Sequence, residues 1–393
     1  MKKIVTLSLI TATSLMAMYG EHAYLYKDPR IMGMGGANVA VGSYSTSVFS
    51  NPAGLTNIEK EHGFVVDLLG LGVSGSKSAL DFAEDLQDAI DTEEDAEVAK
   101  VLKEYSGEHF HVGVDNYTSI SKNSDVFAWS IGLLAAADVN FMPHAQGSTT
   151  GGLLQTSSRA YGGIVLGAAK PFDTELGRVD VGVGVKYISQ MSYEGVLGVS
   201  ELLEDGEDND LADTLQDKYE KESSAIGLDL GVMYHPFSDS YWNPTFGLSI
   251  MNIGMEMDKN YGYQPITVNV GASVTPEVPY LDKLVLAIDY VDLLNANKVR
   301  TYKFSETDEV IYSDYKEEDY MKRLRLGVSA TLLDTWAFST TLNAGMYQGA
   351  YTAGVNLELF FLKLNAATYE EQIGTGDVDI ADRRYMVQLG IGW

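Results

Sequence analysis

His22, His62, His109, His111, His144 and His235 are scattered through a chain of 393 residues. Only His109 and His111 are spaced to act together, because residues two apart on a strand share a face. A metal ion needs further ligands, and none lies near them, so no metal site is expected. Cysteine is absent, which excludes disulfides, thiolate zinc sites and cysteine nucleophiles. Serine is plentiful, but no Gly-x-Ser-x-Gly elbow presents one as a nucleophile. The glycines at 33, 35 and 36 would suit a phosphate loop, yet no Gly-Lys-Ser/Thr follows and no strand precedes them. The acidic run 205–213 lacks EF-hand spacing and reads as a solvated face. Neither an enzyme nor a cofactor is expected.

The charge balance narrows the partners. A formal net charge of −28 argues against nucleic acid, whose phosphates need the opposite sign. The first residues read as an export signal: Lys2 and Lys3, then an apolar run from Ile4 to Met16. Cleavage is expected after Ala17 or Gly20, giving a signal peptide at 1–20. That run is shorter than the ~20 residues of a spanning helix, and no later stretch is long and apolar enough to be one.

The rest of the chain alternates with a period of two. Val179, Val181, Val183, Val185 and Tyr187 are apolar, while Asp180, Gly182, Gly184 and Lys186 fall between them. Alternating residues point to opposite faces of a strand, so each segment has one apolar side and one small or polar side. About fourteen such segments can be counted, near 62–75, 108–121, 124–139, 156–170, 178–193, 223–236, 244–256, 264–275, 281–293, 320–333, 335–347, 350–361, 362–373 and 383–393. Most exceed the 5–6 residues usual in soluble sheets and match the ~9–11 of a tilted membrane strand. Long polar links (76–107, 140–155, 194–222, 294–319) alternate with tight turns, as in outer-membrane barrels with short periplasmic turns and long outer loops. A secreted sandwich or propeller shares the alternation, but with shorter strands. The fold class expected is all-β: a transmembrane antiparallel β-barrel of about 14 strands spanning 61–393.

Residues 21–60 do not alternate. Asn51-Pro52 marks a fixed turn, and Gly33, Gly35 and Gly36 permit tight backbone packing. With the first strand starting in the periplasm, this small and apolar segment is expected to fold into the lumen as a plug. Here the chain resembles a family. Arg30-Ile-Met-Gly33-Met-Gly35-Gly36-Ala37, followed by Phe49-Ser-Asn51-Pro52-Ala53-Gly-Leu55, is similar to the N-terminus of the FadL-type outer-membrane transporters of hydrophobic compounds. It is closest to their TraF-like and PorV-like relatives. The resemblance implies a lumenal hatch, with Asn51, Pro52 and Ala53 as its turn and Gly33, Gly35 and Gly36 against the wall. Tyr385, Val387, Leu389, Ile391 and the terminal Trp393 resemble the signal read by the barrel insertion machinery.

On this reading the opposite parity faces the lumen, placing Asp67, Asp115, Asp180, Lys186, Asp229, Asp289, Arg323, Arg325, Glu358 and Lys363 inside. These charges either pair across the wall, Arg323 and Arg325 with Asp289, or hold a ligand carboxylate, for which Lys186, Arg323 and Arg325 are the candidates. Gly162 and Gly163 mark an expected bulge or kink where a lateral gap could open. The acidic loops are expected to carry short helices over the mouth, with apolar faces Leu80, Ala83, Leu86, Ile90 and Val98, Leu102, Tyr105, and to meet lipopolysaccharide through loosely bridging divalent cations. The resemblance implies passive uptake of hydrophobic small molecules, such as long-chain fatty acids or aromatic hydrocarbons, by a monomer in the outer-membrane lipid. The alternatives are a conjugation- or secretion-associated assembly protein of TraF-like or PorV-like kind, without transport of its own, and a general porin for polar solutes.

Overall fold

Long two-period strands with one apolar face each can bury their backbone polar groups without an edge only by closing on themselves. The computed structural model shows that closure. It describes all residues except 1–20, 22–23, 61–62, 149–150, 201, 204–220, 238–239, 256, 258–263, 298, 305–309, 317 and 375–379. The signal segment and the acidic run 205–213 therefore lie outside the described residues.

In chain order the barrel strands are β1 (Phe64–Ser76), β2 (Phe110–Asn123), β3 (Ala128–Ser148), β4 (Gly151–Thr174), β5 (Gly177–Gly198), β6 (Lys221–His235), β7 (Pro244–Ile253), β8 (Thr267–Val274) and β9 (Lys283–Tyr290). After a separate hairpin, β10 (Val299–Phe304) and β11 (Val310–Tyr315), come β12 (Leu324–Asp334), β13 (Phe338–Tyr347), β14 (Ala350–Leu359), β15 (Leu362–Gln372) and β16 (Ala381–Gly392). Each barrel strand pairs antiparallel with the next, β9 passes directly to β12, and β16 closes on β1. All fourteen expected segments are present. The hairpin β10–β11 was expected only as polar loop. The link expected at 140–155 is mostly ladder, since β3 and β4 stay paired from Ala128↔Ala169 to His144↔Leu153.

Polarity is inverted relative to a soluble domain. Val181, Val183 and Val185 are 40–45% exposed, whereas Asp180 and Lys186 on the opposite parity are 0% and 2% exposed. On β16, Tyr385, Val387, Leu389, Ile391 and Trp393 all face outward. From Tyr385 to Trp393 the chain rises about 20 Å along the barrel at 3.3 Å per residue and ~40° tilt, most of the ~25 Å height of an apolar membrane band. Phe172, Trp242, Trp336 and Phe361 extend the exposed aromatic level around the tight-turn end. Among the described residues no helix is long and apolar enough to cross a membrane.

The loop helices differ from expectation in both face and place. α1 (Pro29–Gly33) belongs to the N-terminal segment; α2 (Ala79–Ile90) and α3 (Asp95–Glu104) follow β1. α2 buries Ala79, Phe82, Leu86 and Ala89 and leaves Leu80 81% exposed. The stripe turns this way because Phe82, its largest apolar side chain, stacks on Phe110 with ring centroids 4.4 Å apart. Phe110, Leu154 and Leu197 have the outward parity of their strands, and α2 and α3 bury them. The helices thus lean against the outer face of the tall β2–β5 wall instead of capping the mouth. Val98 and Leu102 of α3 are buried as expected.

Candidate functional site

The lumen holds the chain's own N-terminal segment. Asp28 caps α1 by accepting from Arg30 N at 2.9 Å, and Pro29 takes the first helical position. Past α1, Gly35 adopts φ +70°, and a methyl there would lie 2.1 Å from Leu326 O on β12. Gly33 backs onto Gly354 of β14, with only 2.9 Å between that Cα and a Cβ at 33. Gly36 sits against the Tyr347 ring and the Arg325 side chain. These three glycines are where backbone meets wall.

The next turn is seated the same way from the other side. Asn51 is fully buried, caps the 3-10 turn Pro52–Asn57 by accepting from Ala53 N at 3.1 Å, and donates to Val39 O at 2.7 Å. A methyl on Gly182 of β5 would lie 2.2 Å from Ala53 N, and one on Gly231 of β6 would lie 2.0 Å from Asn51 Oδ1. Lumen-facing glycines recur on β7, β8, β12 and β13, at Gly247 and Gly271 against Val39 and at Gly327 and Gly345 against Met34. Sequence reasoning missed this belt of wall glycines, although their shared lumenal parity was there to be read.

Wall side chains then tie the segment down. Asp289 Oδ2 accepts from Asn38 N at 2.6 Å and Val39 N at 2.7 Å. Thr56 donates to Asp180 Oδ2 at 2.6 Å, and Asn123 Nδ2 donates to Thr56 O and Ile58 O, both at 2.7 Å. Asp289 is therefore taken by the segment and not by the arginines expected to bridge to it. Arg325 stands opposite Asp289 in register, but its guanidinium donates to Lys322 O and Leu324 O and lies 4.0 Å from the Tyr347 ring centroid. Arg323 is drawn away, 5.2 Å from the Tyr290 ring centroid. Lys186 pairs with Asp229 at 3.0 Å and donates to Asn252 at 2.8 Å, and Lys363 pairs with Asp67 at 2.9 Å. The three candidate ligand contacts do not converge.

A different set does. In the loop-side half of the lumen, the Glu21 carboxylate accepts from Arg384 at 2.8 Å, Lys27 at 3.0 Å and Arg159 at 3.2 Å. Behind these cations, Arg159 reaches Asp138 at 2.7 Å, Arg384 reaches Asp382 at 2.7 Å and Lys27 reaches Glu371 at 2.7 Å. The Tyr24 ring lies beneath both Lys27 and Arg159. Burial alone would raise the Glu21 carboxyl, but the Arg384 guanidinium, Lys27 and Arg159 outweigh it and hold Glu21 well below the usual carboxylate range. Burial would lower Lys27, and Glu371 with its neighbours reverses that, so its ammonium is held well above the ordinary value. The three cations are fully matched by Glu21, Asp138, Asp382 and Glu371, so the cage ties the segment to the wall. Arg159 and Arg384 were not singled out from sequence, although both have lumenal parity.

Beside the cage the lumenal surface is apolar. Tyr117, Leu134, Tyr161, Val165 and Ile188 of the wall pack with Leu25, Val48 and Leu55 of the segment. Tyr26, Phe49 and Tyr117 form a triangle with centroids 5.1–5.7 Å apart. Outside this triangle the wall is irregular. The β1–β2 ladder runs to Asp67↔Ser119 and resumes only at Leu71↔Asn116, and Leu68 is also skipped on the β16 side. Leu68 and Leu69 both face outward, as at a bulge. Side chains replace the ladder there: Asn116 accepts from Gly70 N at 3.0 Å and Thr118 donates to Leu68 O at 3.0 Å. At Gly162 and Gly163 there is no bulge, because β4 stays in register with β3 and β5 through both residues. The two expected strand-start histidines serve separate partners, His109 with Asp382 at 2.9 Å and His111 with Asn140 at 2.9 Å.

A closed fourteen-stranded antiparallel barrel with an apolar outer face defines a transmembrane β-barrel of the outer-membrane type. The chain belongs to the family described as the F plasmid transfer operon TraF protein, whose model matches residues 48–304. No curated protein matches the sequence. Among solved structures the chain is similar to the toluene transporter TbuX of Ralstonia pickettii, at 12% identity and TM-score 0.54 over 94% of this chain and 98% of that one. It is similar also to the toluene transporter TodX of Pseudomonas putida, at 10% identity and TM-score 0.55 over 95% and 98%. For the monoaromatic hydrocarbon channel CymD the figures are 12% identity and TM-score 0.50 over 96% and 99%. At these identities the likeness is one of fold, and it is the FadL-type fold read from the N-terminal motif.

Proposed function

We propose that this protein is an outer-membrane barrel for passive uptake of hydrophobic small molecules. The observation that carries the reading is the apolar lumenal wall of Tyr117, Leu134, Tyr161, Val165 and Ile188, which the N-terminal segment covers. A water-filled porin has a polar interior, and a polar solute gains nothing from such a wall. The N-terminal segment acts as the hatch, its turn at Asn51–Ala53 seated against the wall glycines. The ligand enters from the loop end, passes the Glu21 cage, and reaches this apolar wall when the segment shifts. The side exit is the bulged β1–β2 seam, in place of Gly162–Gly163. The fold shared with two toluene transporters supports this reading, and long-chain fatty acids or aromatic hydrocarbons are the substrate classes that it suits.

The test is uptake of labelled oleate and labelled toluene by cells lacking their own transporters, with and without this protein at the surface. Uptake of either supports the reading. A folded, inserted barrel that admits neither would overturn it. A second reading rests on the family match at 48–304: a conjugation-associated assembly protein without transport of its own. Co-purification of one defined periplasmic or secreted protein, with no uptake, would favour it.

A further inference from the structure

At the tight-turn end, on the far side of the N-terminal segment from the Glu21 cage, a pocket of about 350 Å³ opens between the segment and the wall. Its apolar lining comes from Ala40, Val41 and Ile58 of the segment and Val285 of β9, with Val41 packed against the cluster that holds Val285. Its mouth carries Lys60, Arg178, His235 and Lys283, and no Asp or Glu is among its described lining residues. In a chain of net charge −28 this is a local reversal of sign.

Three of the four bases are already engaged. Arg178 grips Asp180 through Nε at 2.7 Å and Nη2 at 2.5 Å. His235 contacts Asp180 at 3.0 Å and Thr245 at 3.0 Å, and Lys60 pairs with Asp125 at 3.2 Å. Lys283 is different. It is partly buried on the lumenal parity of β9, and among the described residues its ammonium has neither a hydrogen-bond nor an ion-pair partner. An ammonium partly withdrawn from water gains most from a carboxylate that enters the same pocket. The volume falls within the range of small-molecule sites, and the lining is mainly polar, with its apolar part at Ala40, Val41, Ile58 and Val285.

We propose that this pocket binds a small amphiphilic carboxylate, its head on Lys283 and its hydrocarbon end between Val41 and Val285. The site needs no passage through the barrel, so its occupancy can be measured whether or not the protein transports anything.

The experiment is equilibrium dialysis of labelled octanoate against the full mature protein in nanodiscs, with empty nanodiscs subtracted. Saturable binding is expected, displaced by unlabelled octanoate but not by octanol or octyltrimethylammonium. Lys283→Met should weaken it about tenfold, the size of one lost charge-assisted bond, and Val41→Trp should abolish it by filling the apolar part. Lys283→Arg keeps the charge and should retain binding, which covers the case in which the methionine variant does not fold. Equal displacement by octanol would overturn the assignment. So would binding that survives Lys283→Met but is lost in Lys27→Met, because the carboxylate would then sit in the cage above the segment.

Discussion

Gly182 and Gly231 are register partners on β5 and β6, and the Asn51–Ala53 turn fills the space that their missing side chains leave. The wall and the segment inside it are thus shaped for each other at backbone level. Gly247↔Gly271 and Gly327↔Gly345 repeat the arrangement around the lumen. Glycine costs a strand conformational entropy and packing, so its repeated use on one face points to close approach of another chain segment.

The first prediction follows from that fit. In Gly231→Leu the new Cβ would lie where Asn51 Oδ1 now sits, 2.0 Å away. The turn must move, losing an N-cap worth about 1 kcal/mol together with the Asn51 bond to Val39 O. The barrel should still assemble, while residues 30–58 become protease-sensitive and ion conductance in a planar bilayer rises. Gly162→Ala should change neither, since a Cβ there meets nothing within 4 Å. Wild-type protease resistance in Gly231→Leu would show that the segment is not seated there.

Asp289 offers a second handle. Its Oδ2 receives two backbone N–H groups, from Asn38 and Val39, and Asp289→Ala would leave both buried without an acceptor. The expected loss is about 2–3 kcal/mol, within the range for buried donors left unsatisfied. Asp289→Asn keeps one carbonyl oxygen and should lose less. The thermal midpoint of the gel-shift between folded and unfolded barrel measures both, and equal midpoints for wild type and Asp289→Ala would refute the strap.

Much of this was legible in the sequence, and the misses have physical causes. Period-two alternation located every barrel strand because membrane strands must turn one face to lipid, but β10–β11 escaped notice within the long polar link. Asn51-Pro52 and Gly33, Gly35 and Gly36 could be read because local backbone demands leave local marks. The cage could not, since Glu21–Arg384 and Lys27–Glu371 join chain ends that only barrel closure brings together. Arg325 was placed beside Asp289 correctly, yet nothing in the sequence showed that the amides of Asn38 and Val39 would compete for the same carboxylate.

The cage should give the N-terminal segment an acid-sensitive anchor. The folded Glu21 carboxyl is held below its ordinary value, burial being outweighed by Arg384, Lys27 and Arg159. A depressed carboxylate contributes stability that is fully present above the unfolded pKa of about 4.3 and is lost as pH falls through the folded pKa. Amide-exchange protection over residues 24–32, corrected for intrinsic rates, should therefore hold steady from pH 8 to pH 5 and fall only in stronger acid. Glu21→Gln should lower protection at neutral pH and shrink that acid step, the remainder coming from Asp28, where burial is again outweighed and Arg30 holds the carboxyl low. Loss of protection between pH 7 and pH 5 would contradict the ion-pair account.

The position of the lateral exit can be tested because the chain has no cysteine. Leu71 and Asn116 are register partners where the β1–β2 ladder resumes, and directly opposed strand positions lie within reach of a disulfide. Leu71→Cys with Asn116→Cys, oxidised, would clamp the seam just beyond the bulge at Leu68–Leu69. Gly162→Cys with Ser189→Cys would clamp the β4–β5 pair at the site first suspected from the glycines. If ligand leaves through the bulge, oxidation of the first pair should abolish uptake of labelled substrate and reduction should restore it, while oxidation of the second pair leaves uptake as it was. The reverse pattern would move the exit to β4. Uptake indifferent to both clamps would rule out either seam and send the ligand down past the N-terminal segment, where the Gly231→Leu variant should then speed its passage.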